Sequence, residues 1–321
     1  MFVEQYMADV RKAGYTPRAW ALYFRRWAAA CREQAFQRPQ TLRSLGITGL
    51  LGFLLLLAGS TALALTIGPG VAVQLFQGTG FMLLLGLLGI ASNIRMLVDP
   101  QGRPLARINA ANLFTLSRLV AIPAILVFVV HKHTQLALIT FTVAALTDVI
   151  DGWLARHMND ATPLGRVFDP IVDILFNAAV IVALSLEGYV PAWVLALVVT
   201  RYGLLLFGAA FIYIFRGPVE IKPTALGKAT GVVTTGLLVL LVGGRFWLPE
   251  EVHSRVSALI VITLGFVEAI TIPQVILIGW YNFKKAGQRA LAVKLTVVPG
   301  EKRSEPPIGG VSASGPGAPK S

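Results

Sequence analysis

Eight apolar stretches of near-membrane length occupy most of the chain after residue 45. They fall near 46–67, 72–94, 112–131, 134–152, 164–186, 191–214, 229–247 and 256–280. Each is close to the ~20 residues a helix needs to cross a bilayer. The expected fold class is therefore all-α, a polytopic membrane helix bundle. The 321 residues are 55% hydrophobic and only 14% charged, against about 25% charged in a soluble domain. That balance excludes a cytosolic enzyme, a disordered protein and a disulfide-rich secreted scaffold. The one cysteine, Cys31, has no internal disulfide partner.

Net charge is +12. In a soluble protein this would suggest nucleic acid. Here the charges report topology, and no nucleic-acid partner is assigned. With the N-terminus in the cytoplasm, 23 of 28 Lys and Arg fall in cytoplasmic segments. Lys132, Arg245 and Arg255 fall outside, and Arg118 and Arg201 lie within spans. This asymmetry predicts both termini inside, in the inner membrane if the source is bacterial. Residues 1–45 carry eight basic and three acidic side chains, with Trp20, Leu22, Tyr23, Phe24 and Trp27 among the arginines. They read either as a basic amphipathic helix on membrane lipids or as a topogenic tail. They are not a signal peptide, because the apolar run starts late and more spans follow. The tail from 283 to 321 is basic, then rich in Gly, Pro and Ser, and is expected to be disordered.

The chemistry concentrates at the junction of the fourth and fifth spans. Five of the 16 acidic residues lie between 148 and 173. Asp148, Asp151, Gly152 and Ala155 are spaced i, i+3, i+4 and i+7, so one helix face carries them. Gly165, Asp169 and Asp173 share a face of the next helix, which Thr162-Pro163 would cap and start. Four carboxylates can thus converge at a membrane boundary, where their repulsion and desolvation demand cationic compensation. Arg156 alone is too little. Oxygen ligands suit hard ions such as Mg²⁺, Mn²⁺ or Ca²⁺, and four carboxylates could hold two ions about 4 Å apart. Gly152, Ala155 and Gly165 leave room for a bulky substrate.

The run Asp148-x2-Asp151-Gly152-x2-Ala155-Arg156-x8-Gly165-x3-Asp169-x3-Asp173 resembles the signature of the CDP-alcohol phosphatidyltransferases at all eight fixed positions. Asn112-x2-Thr115-x2-Arg118 resembles the segment opening the first family helix, and Gly227-Lys228 the one opening its fifth. The resemblance implies a six-helix catalytic core over 105–282. Residues 46–104 would add two extra transmembrane helices and a loop. It implies Asp148, Asp151, Asp169 and Asp173 as ligands of two divalent ions, Mg²⁺ or Mn²⁺, with Asp173 also the general base. Asn112, Thr115, Arg118, Gly152, Ala155, Arg156 and Gly165 would bind the CDP-lipid. The implied reaction passes a phosphatidyl group from CDP-diacylglycerol to an alcohol and releases CMP. A homodimer is implied by resemblance only.

Arg201 and Lys228 are the candidate acceptor residues. Arg201 lies mid-span, where an arginine costs at least about 2.5–3.5 kcal/mol. It either binds an acceptor phosphate or pairs with Glu268, and that pairing would argue against a phosphorylated acceptor. Arg118 is read as a site residue, with snorkelling to the surface as its alternative. Ala161 to Pro170 resembles the phosphatidylglycerophosphate synthase and cardiolipin synthase branch, although Ile174 stands where that branch usually has Lys. Glycerol 3-phosphate is the first choice of acceptor. Inositol phosphate, phosphatidylglycerol and other polar alcohols are the alternatives. A cation-coupled transporter would place broken helices and acids at the midplane, whereas these acids gather at one rim. An inactive scaffold would have lost an aspartate, and none is lost.

Overall fold

A computed structural model describes residues 2–158, 162–217 and 225–296. Within that range the side chains of 2–4, 148–158, 225, 228, 245–247 and 287–296 are not described. The described residues form ten α-helices: α1 (Phe2–Lys12), α2 (Pro17–Phe36), α3 (Pro39–Thr66), α4 (Pro69–Ser92), α5 (Ala110–Val130), α6 (Thr134–Met158), α7 (Pro163–Leu186), α8 (Ala192–Arg216), α9 (Ala225–Trp247) and α10 (Glu250–Thr296). Hydrocarbon offers the backbone no hydrogen bonds, and a helix satisfies its own.

Among the described residues six helices are long and apolar enough to cross a membrane: α3, α4, α5, α7, α8 and the Glu250–Ala286 part of α10. The other two expected spans fall on α6 and α9, whose described apolar runs, Thr134–Thr147 and Ala229–Gly244, are shorter. The chain is an integral membrane protein. Its exposed Leu50, Leu51, Leu54 and Leu55 on α3 would be unfavourable in water and suit acyl chains.

The core sits around α5, which packs on α4, α6 and α7. From there α7 leads to α8, and α8 and α9 both pack on α10. Leu119, Ile122, Ile125, Phe128, Phe176 and Val180 are among the residues buried between these helices. Small residues let the backbones approach. A methyl group at Gly78 would lie 2.8 Å from Pro123, at Gly86 2.4 Å from Leu116, and at Gly89 2.9 Å from the Phe168 ring.

The first four helices buttress one end of this core. Leu45, Ile90, Ile94, Leu97 and Leu164 bury one another there, joining α3, α4 and the start of α7. Thr41 Oγ1 donates to the Leu105 carbonyl at 2.6 Å, and the Ile108 amide donates to Ser44 Oγ at 3.2 Å. These bonds fix the connection that leads into α5.

Two features depart from the expectations. Residues 1–45 are two helices and the start of a third, because Gly14 and Tyr15 take positive φ (64° and 59°) and turn the chain. Pro17 and Pro39 then open α2 and α3 at their first helical positions. At the other end α10 continues to Thr296 instead of stopping near 280. Ala-Gly-Gln-Arg-Ala-Leu-Ala-Val-Lys-Leu (286–295) is polar enough to end an apolar run, yet mostly strong helix formers.

Candidate active site

The starts of α5 and α7 lie side by side, and each is capped by its own polar residue. Asn109 caps α5, its Oδ1 accepting from the Asn112 amide. Thr162 caps α7, its Oγ1 accepting from the Gly165 amide at 3.0 Å. The Asn112 side chain ties the two caps together. Its Nδ2 donates to Asn109 Oδ1 and to Thr162 Oγ1 at 3.2 Å.

Two further rungs follow. One turn deeper, Thr115 Oγ1 donates to Asp169 Oδ1 at 2.7 Å. Another turn on, Arg118 Nη1 donates to Asp173 Oδ1 in an ion pair. Asn112, Thr115 and Arg118 are spaced three apart on α5, and Gly165, Asp169 and Asp173 four apart on α7. Both spacings keep residues on one helix face, so packing α5 on α7 brings the two sets together rung by rung. Arg118 therefore does not reach for the surface. Its side chain is 4% exposed, while that of Asp173 is 45% exposed. A buried guanidinium thus orients a carboxylate that is open to a ligand.

Gly165 makes the top rung possible. A methyl group there would lie 3.3 Å from Asp169 Oδ2, 3.4 Å from Asn112 Oδ1 and 3.5 Å from Thr162 Oγ1. Asp169 therefore has one oxygen on Thr115 and the other over a bare α-carbon. The donors fit a hard divalent ion, being carboxylate oxygens one helical turn apart on one face. Asp148, Asp151, Gly152, Ala155 and Arg156 lie on the last turns of α6, and their side chains are outside the described residues. Lys228 lies on the first turn of α9 and its side chain is likewise not described. Among the described residues no group of three or more His, Cys, Asp or Glu converges.

Arg201 has another setting. Its Nη1 donates to both oxygens of Glu268, at 2.9 and 2.8 Å. Thr234 Oγ1 donates to Glu268 Oε1 at 2.9 Å. The Arg201 and Glu268 side chains are 6% and 0% exposed. Arg201 thus makes the ion pair with Glu268 that was the alternative to an acceptor role. Its Nε is buried and has no hydrogen-bond partner among the described residues. The Tyr202 ring lies 5.4 Å from the Arg201 Cζ.

Sequence reasoning missed Asn109 and Thr234. A short polar residue before a helix is an N-cap signal, so Asn109 could have been found. A threonine in an apolar helix carries no such signal.

A family model for the CDP-alcohol phosphatidyltransferase matches residues 108–292, more than half of the chain, from the lead-in of α5 into the last turns of α10. The chain belongs to the CDP-alcohol phosphatidyltransferase family. It is 32% identical over 165 residues to a probable phosphatidylglycerophosphate synthase of Mycobacterium tuberculosis, covering 49% of this chain and 78% of that one. It is 39% identical over 69 residues to a CDP-diacylglycerol--glycerol-3-phosphate 3-phosphatidyltransferase of Aquifex aeolicus, covering 22% and 39%. It is 28% identical over 153 residues to a probable cardiolipin synthase (CMP-forming) of Drosophila melanogaster, covering 42% and 47%. No solved structure matches the chain. The protein is a phosphatidyltransferase of phospholipid biosynthesis, in a family that uses CDP-diacylglycerol, an alcohol acceptor and divalent metal ions.

Proposed function

We propose that this enzyme transfers the phosphatidyl group of CDP-diacylglycerol to glycerol 3-phosphate, on the cytoplasmic side of the membrane. The observation that carries the reading is the double rung of Thr115 on Asp169 and Arg118 on Asp173. It holds two signature carboxylates at the bundle end where α6 leads back into α7. Asp148, Asp151, Asp169 and Asp173 would hold two ions, Mg²⁺ or Mn²⁺. When bound, such ions supply charge neutralisation for the diphosphate. Arg156 would meet the diphosphate of the CDP-lipid, and Lys228 the acceptor. Asp173 takes the proton of the acceptor hydroxyl as its oxygen bonds to the phosphatidyl phosphorus. The bond from that phosphorus to the CMP oxygen breaks, and CMP leaves. Arg118 fixes the orientation of the Asp173 carboxylate throughout. The acyl chains stay in the bilayer beside the bundle, and both chain termini lie in the cytoplasm.

The likeness to the Mycobacterium phosphatidylglycerophosphate synthase and the Aquifex glycerol-3-phosphate phosphatidyltransferase supports glycerol 3-phosphate. The Arg201–Glu268 pair supports a second reading. It leaves Arg201 already neutralised, which suits an acceptor without a phosphate monoester, and phosphatidylglycerol is the candidate. One assay tests both. Purified protein receives labelled CDP-diacylglycerol, Mg²⁺ or Mn²⁺ and a panel of alcohols, and CMP release is measured. Release that needs both metal and glycerol 3-phosphate supports the first reading. Release with phosphatidylglycerol alone supports the second. No release with any acceptor overturns the proposal.

A further inference from the structure

The N-terminal helices lie outside the family match, and nothing in the transferase chemistry uses them. Their arginines divide into two sets. One set anchors the segment to the bundle. Arg11 donates from Nε to the Ile214 carbonyl at 2.8 Å and from Nη2 to the Tyr213 carbonyl at 2.7 Å, closing the last turn of α8. Arg38 Nη1 donates to the carbonyls of Ile94 and Leu97 at 2.8 and 3.1 Å. Arg26 pairs with Asp9 at 2.9 Å and so ties α2 to α1. Along α2 a second line of contact faces the bundle, with Ala30 and Gln34 buried and Cys31 Sγ donating to the Ser92 carbonyl at 3.3 Å.

The other set points away. Arg18, Leu22, Arg25, Ala29, Arg32 and Phe36 follow one another at alternating spacings of four and three, which is one stripe of the helix. All six are exposed, Phe36 at 78%. Arg18, Arg25 and Arg32 make no hydrogen bond or ion pair with any described residue. They are seven residues apart, so about 10 Å separates each guanidinium root from the next.

We propose that this stripe is a binding site for anionic phospholipid headgroups, with the three arginines on phosphates and Leu22, Ala29 and Phe36 entering the acyl boundary between them. Three observations select a lipid surface over other occupants. First, α2 ends only two residues before the membrane helix α3 begins, so its C-terminal half is tethered within reach of the interface. Second, a stripe alternating cation and hydrophobe matches a surface that is anionic above and apolar below. Third, the anchoring bonds at both ends of the segment keep the stripe turned outward, so little ordering is needed when it meets a lipid surface. The proposal does not depend on which alcohol the enzyme uses.

The test uses the full chain in nanodiscs. Cys31→Ser leaves a cysteine-free background, into which Ala29→Cys or Phe36→Cys is introduced and spin-labelled. Accessibility to oxygen and to a water-soluble nickel chelate is compared in discs of phosphatidylcholine alone and with phosphatidylglycerol added. The expected result is a label in the acyl boundary when anionic lipid is present, shifting toward water in phosphatidylcholine. Arg18→Gln, Arg25→Gln and Arg32→Gln together should abolish that dependence, each contributing about fivefold to the bound-to-free ratio. CMP release by the triple variant reports that the bundle is intact. A label exposed to water in both lipids overturns the proposal. So does one whose lipid contact is unchanged in the triple variant, and so does one shielded only when a soluble protein is added.

Discussion

Two buried arginines each hold a carboxylate in this bundle, and they do so to opposite ends. Arg201 and Glu268 are both buried, and Thr234 also donates to Glu268 Oε1. Arg118 is as buried as Arg201, but its partner Asp173 is almost half exposed. A fully enclosed pair spends its charge on itself. A half-open pair leaves an oriented carboxylate facing whatever enters. The same two residue types thus make a closed pair joining α8, α9 and α10, and a half-open pair between α5 and α7. What separates them is access, which residue identity does not encode.

The comparison breaks most sharply at Asp173. Replacing it by Asn keeps the shape and removes the base. Loss of a positioned base costs about 10²–10⁴ in rate, so Asp173→Asn should lower CMP release by about a thousandfold. Binding of CDP-diacylglycerol should be largely spared, and the midpoint of thermal unfolding in detergent should fall less than for the closed pair, because the half-exposed asparagine oxygen still accepts from Arg118. Undiminished turnover would overturn the base assignment.

The closed pair should respond in the reverse sense. Glu268→Ala strands a buried guanidinium, and breaking a buried pair costs about 3–5 kcal/mol. Unfolding in detergent should show that loss. Removing both charges with Arg201→Met and Glu268→Leu should restore most of it, since apolar replacements of buried pairs are often neutral. The double variant also sharpens the acceptor question. If it folds and still uses glycerol 3-phosphate with unchanged KM, Arg201 is a clamp. If KM for that acceptor rises while KM for CDP-diacylglycerol does not, the pair opens in the working enzyme.

How much of this was legible before any coordinates depended on distance along the chain. The signature aspartates and Gly165 lie within 26 residues and declare their faces by helical spacing, so the helices α6 and α7 and the Thr162 cap could be read directly. Asn112, Thr115 and Arg118 could be placed on one face too. Their partners could not, because Thr115 and Asp169 are 54 positions apart and no local rule links them. Arg201 and Glu268 were conspicuous as mid-span charges, since the membrane makes any such residue expensive. Thr234, the third member, is invisible among apolar neighbours. The N-terminal segment announced its basic and aromatic character but not its turn at Gly14–Tyr15, nor which arginines anchor and which face outward. The C-terminal turns of α10 were missed because hydropathy marks the end of a span, not the end of a helix.

A smaller effect is expected one rung above the open pair. Thr115→Val removes a single hydroxyl from Asp169 while keeping the β-branched shape. Groups that orient a metal ligand typically tune affinity by about 10–100-fold. The Mg²⁺ concentration for half-maximal CMP release should therefore rise by about tenfold, with much of kcat recovered at saturating metal. A fall in kcat without a change in metal dependence would place the hydroxyl's role elsewhere.

The gentlest probe is Gly165→Ala. The added methyl would meet Asp169 Oδ2 at 3.3 Å, Asn112 Oδ1 at 3.4 Å and Thr162 Oγ1 at 3.5 Å. None of these is a clash that prevents folding. The Asp169 contact is tighter than usual and must give by a few tenths of an ångström, Asn112 lies at the edge of ordinary contact, and Thr162 is within it. Alanine also favours the helix over glycine by roughly 1 kcal/mol, so thermal stability should hold or rise slightly. The cost should appear instead in geometry, because Asp169 is pushed on the side away from Thr115. A several-fold loss of CMP release with no loss of stability would show that the site uses glycine for room rather than for flexibility. Loss of both together would mean that Asn112, Thr162 and the two caps move as one unit, and that α5 and α7 are held at their starts more than along their lengths.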